Sequence, residues 1–383
     1  SVKGRVLHYK TNVGDRLAQA SVLKVVSNNS IVDEYGYSVA SADVWHAVGA
    51  PATNSSQGTV FLYTRDNNND LSIQQALSVN SATQRFGHSV AISNNEQYMA
   101  IGAPSHNSST GRVYVYGKVN IDPASESTGS VSTDGSTTTY AIGFTPTGSD
   151  TILVTDNLNT VYIPYIDYTV SSGNITFTTA PATGRVITIT QKSHWRLIET
   201  VDASNSNAGD QFGHSIDIDA TGRTIVVGAP YADIADSTST VYTDAGEVYV
   251  YNNTVEAFAA DGTSLTYNTT NTIDDGVIVT VDGTEFVNVT AVKLAGETVA
   301  STINHYSRSG NSITFSYAPA KDDIIRVWTG NYKQSQRIDQ NIVSESPTAE
   351  ENFGFDVAVN TYGSAIAIGC PGEDETNPNT GSV

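Results

Sequence analysis

FGHSVAISNNEQYMAIGAP, beginning at Phe86, decides how the chain reads. The same pattern returns as YGYSVASADVWHAVGAP at Tyr35, FGHSIDIDATGRTIVVGAP at Phe212 and FGFDVAVNTYGSAIAIGCP at Phe353. Each copy is an aromatic-Gly step, an alternating strand, a short turn, and a second strand closing on Gly-Ala-Pro or Gly-Cys-Pro. Self-similarity on this scale predicts a repeat architecture. From Tyr35 to Phe86 is 51 residues, from Phe86 to Phe212 is 126, and from Phe212 to Phe353 is 141. The bare repeat is the first of these. The other two carry an excess of 75 and 90 residues, which is domain-sized.

Each Gly-Ala-Pro leads through a polar loop to a third strand: GTVFLYT from Gly58, GRVYVYG from Gly111, GEVYVYN from Gly246. Valine alternates with Tyr or Phe, the period of a strand with two differently packed faces. A fourth strand follows as LSIQQALS from Leu71, WRLIETV from Trp195 and, more weakly, SQRIDQNIV from Ser335. Small residues (Ala91, Ala100, Gly102, Ala103) fall on the first two strands, and bulky Tyr114, Tyr116, Tyr249 and Tyr251 on the third. The proline that follows has no N–H to donate and ends the second strand. Four short antiparallel strands in roughly 40–50 residues make one propeller blade.

These motifs together resemble the FG-GAP repeats of integrin α-subunit propellers, in the shorter bacterial and viral variety whose fourth strand carries Gln-Gln, here Gln74-Gln75. The resemblance covers about 230 residues, everything outside the two excess stretches. It implies an all-β fold: a β-propeller of four-stranded antiparallel blades with two small β-sandwich insert domains, used for adhesion or assembly. The expected boundaries are 1–117 for the first blades, 118–193 for the first insert, 194–252 for propeller, 253–332 for the second insert, and 333–383 for propeller again. Small side chains on the first strands fit crowding near an axis. The relatives bind calcium in the turn between first and second strands. Here those turns read SNNEQ, DATGR and NTYGS, which lack the several hard oxygens calcium takes. Asp217 and Asp219 come nearest to a metal site, and a tight polar turn is the simpler reading. No cofactor is expected beyond that weak calcium candidate.

Both inserts fall between third and fourth strands and resemble each other. DYTVSSGNITFTTAPATGRVITI from Asp167 aligns with HYSRSGNSITFSYAPAKDDIIRV from His305, and DGSTTTYAIGF from Asp134 with DGTSLTYNTTN from Asp261. Alternating Ile, Val, Tyr and Thr broken by Gly, Asn and Asp predict a small all-β sandwich in each. Their shared position predicts that both project from one face. The motif is similar to small β-domains of bacteriophage tail, baseplate and fibre proteins, over roughly 60 residues per insert.

With 39 acidic against 19 basic residues the net charge is −20, and no Lys/Arg cluster offers the basic patch that nucleic acid needs. No apolar run approaches a membrane span. The single cysteine, Cys370, replaces the Ala of Gly-Ala-Pro and reads as a small buried thiol. His88 and His214 share the position after Phe-Gly, which invites a metal reading. Tyr37 and Phe355 occupy it in the other copies, so packing is the better account. Acidic loops after Gly-Ala-Pro (Asp233, Asp236, Asp244, and Glu373, Asp374, Glu375) lie on the face opposite the inserts and are candidate contacts for a partner or a cation, solvated loops being the simpler reading. No Gly-rich phosphate loop, Ser-His-Asp order or acid/base pair is present.

The sequence opens on SVKGRVLHYK, read as a third strand, and closes on Gly381-Ser382-Val383, the opening of another. The expectation is a segment of a longer polypeptide, the alternative being closure of both ends into one shared blade. Functionally the expectation is a non-enzymatic structural or attachment protein of a virion. Its partners would be other virion subunits or a host-surface receptor or glycan. The alternative is a secreted bacterial adhesin or carbohydrate-binding propeller at the cell surface. A glycan-degrading propeller lacks an acid/base candidate.

Overall fold

The computed structural model describes residues 6–10, 21–26, 34–65, 71–119, 121, 126–146, 148–270, 273, 277–282, 284–288, 305–334, 341–373 and 381–383. The chain is all-β. The first sheet orders Ser38–Ser41, Trp45–Ala50, Thr59–Arg65 and Leu71–Leu77 side by side, all antiparallel. The second repeats this with Val90–Ile92, Tyr98–Gly102, Val113–Val119 and His194–Val201. Its third and fourth strands pair directly although the whole first insert lies between them. In the third sheet Ser215–Ile218 and Thr224–Ala229 pair with the long strand Glu247–Ala259. That strand pairs in turn with Ile324–Gln334 and, nearer its start, with Asn341–Ile342. The expected fourth strand from Ser335 is thus seen only at Asn341–Ile342, since 335–340 lie outside the described residues. The fourth sheet pairs Asp356–Val359 with Ile366–Gly369, and Cys370 forms an isolated antiparallel bridge with Ser382. Val6–Lys10 and Ser21–Val26 form an antiparallel hairpin that pairs with no other strand among the described residues.

Strand alternation sets the order of packing. In Val113–Val119, Val113 and Val115 join a core with Phe212, Ile216 and Val227 of the third sheet. Their neighbours Tyr114 and Tyr116 join a core with Phe86, Leu62 and Trp45 on the other side. The second sheet is therefore buried on both faces, one facing each neighbour, which is what a period of two delivers. Phe86 meets Tyr114 edge-on at 5.3 Å, and Phe212 meets Tyr249 at 5.1 Å. Full burial of each such ring stabilises by roughly 1.5–3 kcal/mol.

The Phe-Gly and Gly-Ala-Pro glycines meet between sheets. Ser38 Oγ donates to Gly87 O at 2.7 Å, Ser89 Oγ to Gly213 O at 2.8 Å, and Ser215 Oγ to Gly354 O at 2.8 Å. A β-carbon on Gly49, Gly102 or Gly228 would stand 2.1, 2.1 or 2.0 Å from the same carbonyl oxygens. Glycine is required there by the neighbour's backbone. The loop before each third strand also holds the next sheet. Ser56 O accepts Arg85 N, Ser109 O accepts Gln211 N, and Asp244 O accepts Asn352 N. Ser56, Ser109 and Asp244 all have positive φ, as do Arg85, Gln211 and Asn352 opposite them. Left-handed backbone at non-glycine residues costs about 1–2 kcal/mol each, and the docked neighbour holds it in place.

The inserts are two versions of one structure. In the first, Ser127–Ser132, Val186–Gln191, Leu153–Asp156 and Val161–Tyr162 form one sheet, and Thr139–Ala141, Asn174–Phe177 and Tyr168–Ser171 another. Val154, Ile187 and Ile189 from one share a core with Tyr168, Ile175 and Phe177 from the other. In the second, Val279, Ile325 and Val327 pack with Tyr306, Ile313 and Phe315. Corresponding details coincide. Asp134 accepts Ser136 N and Thr137 N, and Asp261 accepts Thr263 N and Ser264 N. Tyr168 and Tyr306 hydroxyls each donate to a backbone carbonyl, of Ser149 and Val277. Each insert packs back onto the preceding sheet's outer strand. Ile163 joins Tyr35, Phe61 and Ala76 of the first sheet, and Ile278 joins the core between second and third. Gln75, fully buried, donates to Asp150 O and Trp195 O and accepts Trp195 N. Covering an outer strand in this way removes an edge open to unwanted pairing.

Candidate functional site

The Phe-Gly steps place one side chain from each sheet in a continuous row. Tyr37 and His88 have ring centroids 4.8 Å apart, His88 and His214 4.7 Å, His214 and Phe355 4.9 Å. Successive planes are inclined by 48°, 51° and 49°. His88 Nδ1 lies 3.1 Å from His214 O, a pure acceptor, so Nδ1 carries the proton. Nε2 is then free to accept the Tyr37 hydroxyl at 3.0 Å. Burial, with His214 and Arg85 nearby, brings His88 down to about 4, and burial likewise lowers His214. The two histidines are therefore neutral stacking groups at pH 7. They do not form a metal pair with each other: one ring nitrogen of His88 is committed to the backbone and the other to Tyr37. Tyr37 is 50 % exposed and Phe355 43 % exposed, so the row ends in two half-open aromatic faces. Tyr231 stands edge-on to His214 at 6.0 Å, and Arg85 lies over Tyr37 at 5.5 Å while paired with Glu34.

At the other end of the same first strands, stretches from all four sheets, including Ala40, Ala91, Asp217 and Val359, line a polar cavity of about 360 Å³. Asp217 bridges sheets there: its Oδ2 accepts Val359 N at 2.7 Å and its Oδ1 accepts Ile218 N. Burial raises its pKa. Asp219 Oδ1 accepts Thr221 N, Thr221 Oγ1 and Arg223 N. Asn360 closes the matching turn of the fourth sheet through Ser364 N and Ala365 N. The two aspartates expected as the nearest to a calcium site thus serve a sheet junction and a turn.

The acidic loops sit at the Phe-Gly end, opposite the end of the strands that leads into the inserts. Asp236 Oδ1 accepts Thr238 N and Thr240 N, and Asp233 Oδ1 accepts Asp244 N. Burial and the charges of Asp233 and Glu350 raise Asp244. Burial and three neighbouring carboxylates raise Asp210. Glu373 meets Glu351 and Cys370, with ligand atoms all within 4.8 Å. Cys370 Sγ donates to Glu351 Oε1 at 3.3 Å, and burial with Glu351 pushes the thiol up to about 12. Through that bond the thiol anchors the corner. Asp374 and Glu375 lie outside the described residues. Glu351, which beside Glu350 reads from the sequence as solvated charge in a turn, is instead fully buried. Its position, two before the Phe-Gly aromatic, matches Gln84 and Asp210 and was visible in the repeat register.

Residues 195–251 match the FG-GAP repeat family. No curated protein matches the chain.

Proposed function

We propose that the chain is a non-enzymatic attachment protein: a segment of β-propeller that presents two sandwich domains on one side and an aromatic binding row on the other. The observation that carries this is the row Tyr37–His88–His214–Phe355, assembled from four sheets at the Phe-Gly end and half open at both ends. Radial stacking accounts for its near-constant inclination. Aromatic faces with neighbouring carboxylates suit a glycan or protein surface, where apolar faces stack and polar groups orient.

A virion is the proposed setting, supported by the inserts' sequence resemblance to phage tail and fibre domains. Gold labelling of purified particles with antibody to this chain tests it; particles that never bind the antibody would sink it. A secreted adhesin is the second reading, favoured by the open aromatic row itself. Tyr37→Ala with Phe355→Ala is expected to abolish binding to host-surface glycans on an array while leaving the fold intact. Full binding by that double variant would move the contact elsewhere.

A further inference from the structure

Of the four side chains in the aromatic row, only Tyr37 carries a hydroxyl, and His88 decides which way it faces. Two hydrogen bonds run in series behind it, through three sheets. His214 O can only accept, so His88 Nδ1 donates to it at 3.1 Å. Nε2 of the same neutral ring then has no proton and can only accept. The Tyr37 hydroxyl, 3.0 Å away, is therefore the donor. Its proton is held on the His88 side, and its oxygen keeps the capacity to accept. No group among the described residues takes up that capacity.

The charges beside Tyr37 cancel. Arg85 lies over its ring at 5.5 Å and pairs with Glu34 at 2.8 Å. An anion arriving here would meet the Glu34 carboxylate, and a cation would meet the Arg85 guanidinium. Only one Arg85 nitrogen is bonded to Glu34, so other guanidinium N–H groups can still donate. A half-exposed ring, an unused acceptor and spare donors, with no net charge, suit a neutral molecule rich in hydroxyls.

We infer that His88 is a positioning residue that makes the Tyr37 oxygen an obligate acceptor, so that this end of the row takes a neutral polysaccharide through a hydroxyl that donates to it. The inference rests on the row being the binding surface and adds what the ligand must present there. It also carries a dependence on acid. His88 is faced by Tyr37 from the first sheet, His214 from the third and Arg85 from its own turn, while Asp356 of the fourth sheet acts on His214. A protonated His88 has an N–H on both ring nitrogens. Nε2 then donates to Tyr37, and the Tyr37 proton turns away from His88. The oxygen that accepted a hydroxyl now offers one. Burial, with His214 and Arg85, brings His88 down to about 4, which confines this reversal to acid.

Paired probes test this. Neutral hexasaccharides of glucose, galactose and mannose are titrated alongside their per-O-methylated forms, which keep every oxygen and have no hydroxyl to donate. The ratio of the two affinities cancels any change in the folded fraction. At pH 7 the parent is expected to favour the free hydroxyl form by at least about 10-fold. Tyr37→Phe keeps the ring and should lower that ratio by about 10-fold; a merely steric dislike of methyl groups would survive it. His88→Phe keeps a stacking ring and frees the Tyr37 hydroxyl to turn. Its ratio should fall by about 3-fold and no longer vary with pH. In the parent the ratio should narrow as pH falls from 6.5 towards 4. Equal binding of both forms by the parent, or an unchanged ratio in either single variant, overturns the inference. The row survives that result if Tyr37→Ala with Phe355→Ala still abolishes binding of the probes. If no probe binds, or the double variant binds fully, the row itself fails and takes this inference with it.

Discussion

Replacing Gly102 by alanine probes the sheet-to-sheet junction directly. The new β-carbon would stand 2.1 Å from Gly213 O and 2.2 Å from Ser89 Oγ. Neither neighbour is a flexible chain end; one is backbone and the other is bonded to that backbone at 2.8 Å. Relief requires the second and third sheets to part by about 1 Å, and overpacking of this kind costs about 1–3 kcal/mol. The Ser89 hydroxyl bond would also be lost, about 1 kcal/mol more. Restricting the unfolded chain returns about 0.4–1 kcal/mol. The net expectation is a loss of about 2–3 kcal/mol. Urea unfolding followed by tryptophan fluorescence reads it, because Trp45 and Trp195 are buried and stand edge-to-face across the first and second sheets. Gly369→Ala in the same 383-residue chain is the internal control, with an expected change under about 0.5 kcal/mol. If Gly102→Ala is as stable as the parent, or if both glycines cost the same, the junction does not work as described.

The histidine row should make the protein acid-sensitive. His88 falls from 6.5 to about 4 on folding, so protons favour the unfolded chain. Nothing is lost above pH 6.5, and stability drops as pH falls from there towards 4, by about 2–3 kcal/mol after allowing for partial exposure. His214 adds in the same direction. His88→Phe should flatten that part of the urea-midpoint profile, and an unchanged profile would exclude the row as its source. Asp219→Ala removes the acceptor of three donors and should cost about 2–3 kcal/mol, while calcium or EDTA leaves the parent's Tm alone. A calcium-dependent rise in Tm would restore the ion site. Gln75→Ala strands buried groups shared by two sheets and the first insert, at about 2–4 kcal/mol. It should also speed proteolytic release of the insert; parental resistance would show that the insert is held by other contacts.

Strand identity and the four-stranded make-up of the first two sheets were legible in the chain because they are local or repetitive. A period of two names the strand, and four copies of an aromatic-Gly step with a closing Gly-Ala-Pro or Gly-Cys-Pro name the sheet. Two aligned stretches of Asp, Tyr and Ile give the duplicated insert, down to the Asp134 and Asp261 turns. The tertiary structure decided what depends on a neighbour's backbone. Gly102 is glycine because Gly213 O is above it, 111 residues along the chain. His88 and His214 stack because sheets bring them to 4.7 Å, and Asp217 spends its carboxylate on Val359 N. Such contacts join atoms whose proximity is fixed only when sheets dock. Sequence periodicity records which side of a strand is apolar, and it carries no information about which carbonyl will arrive there.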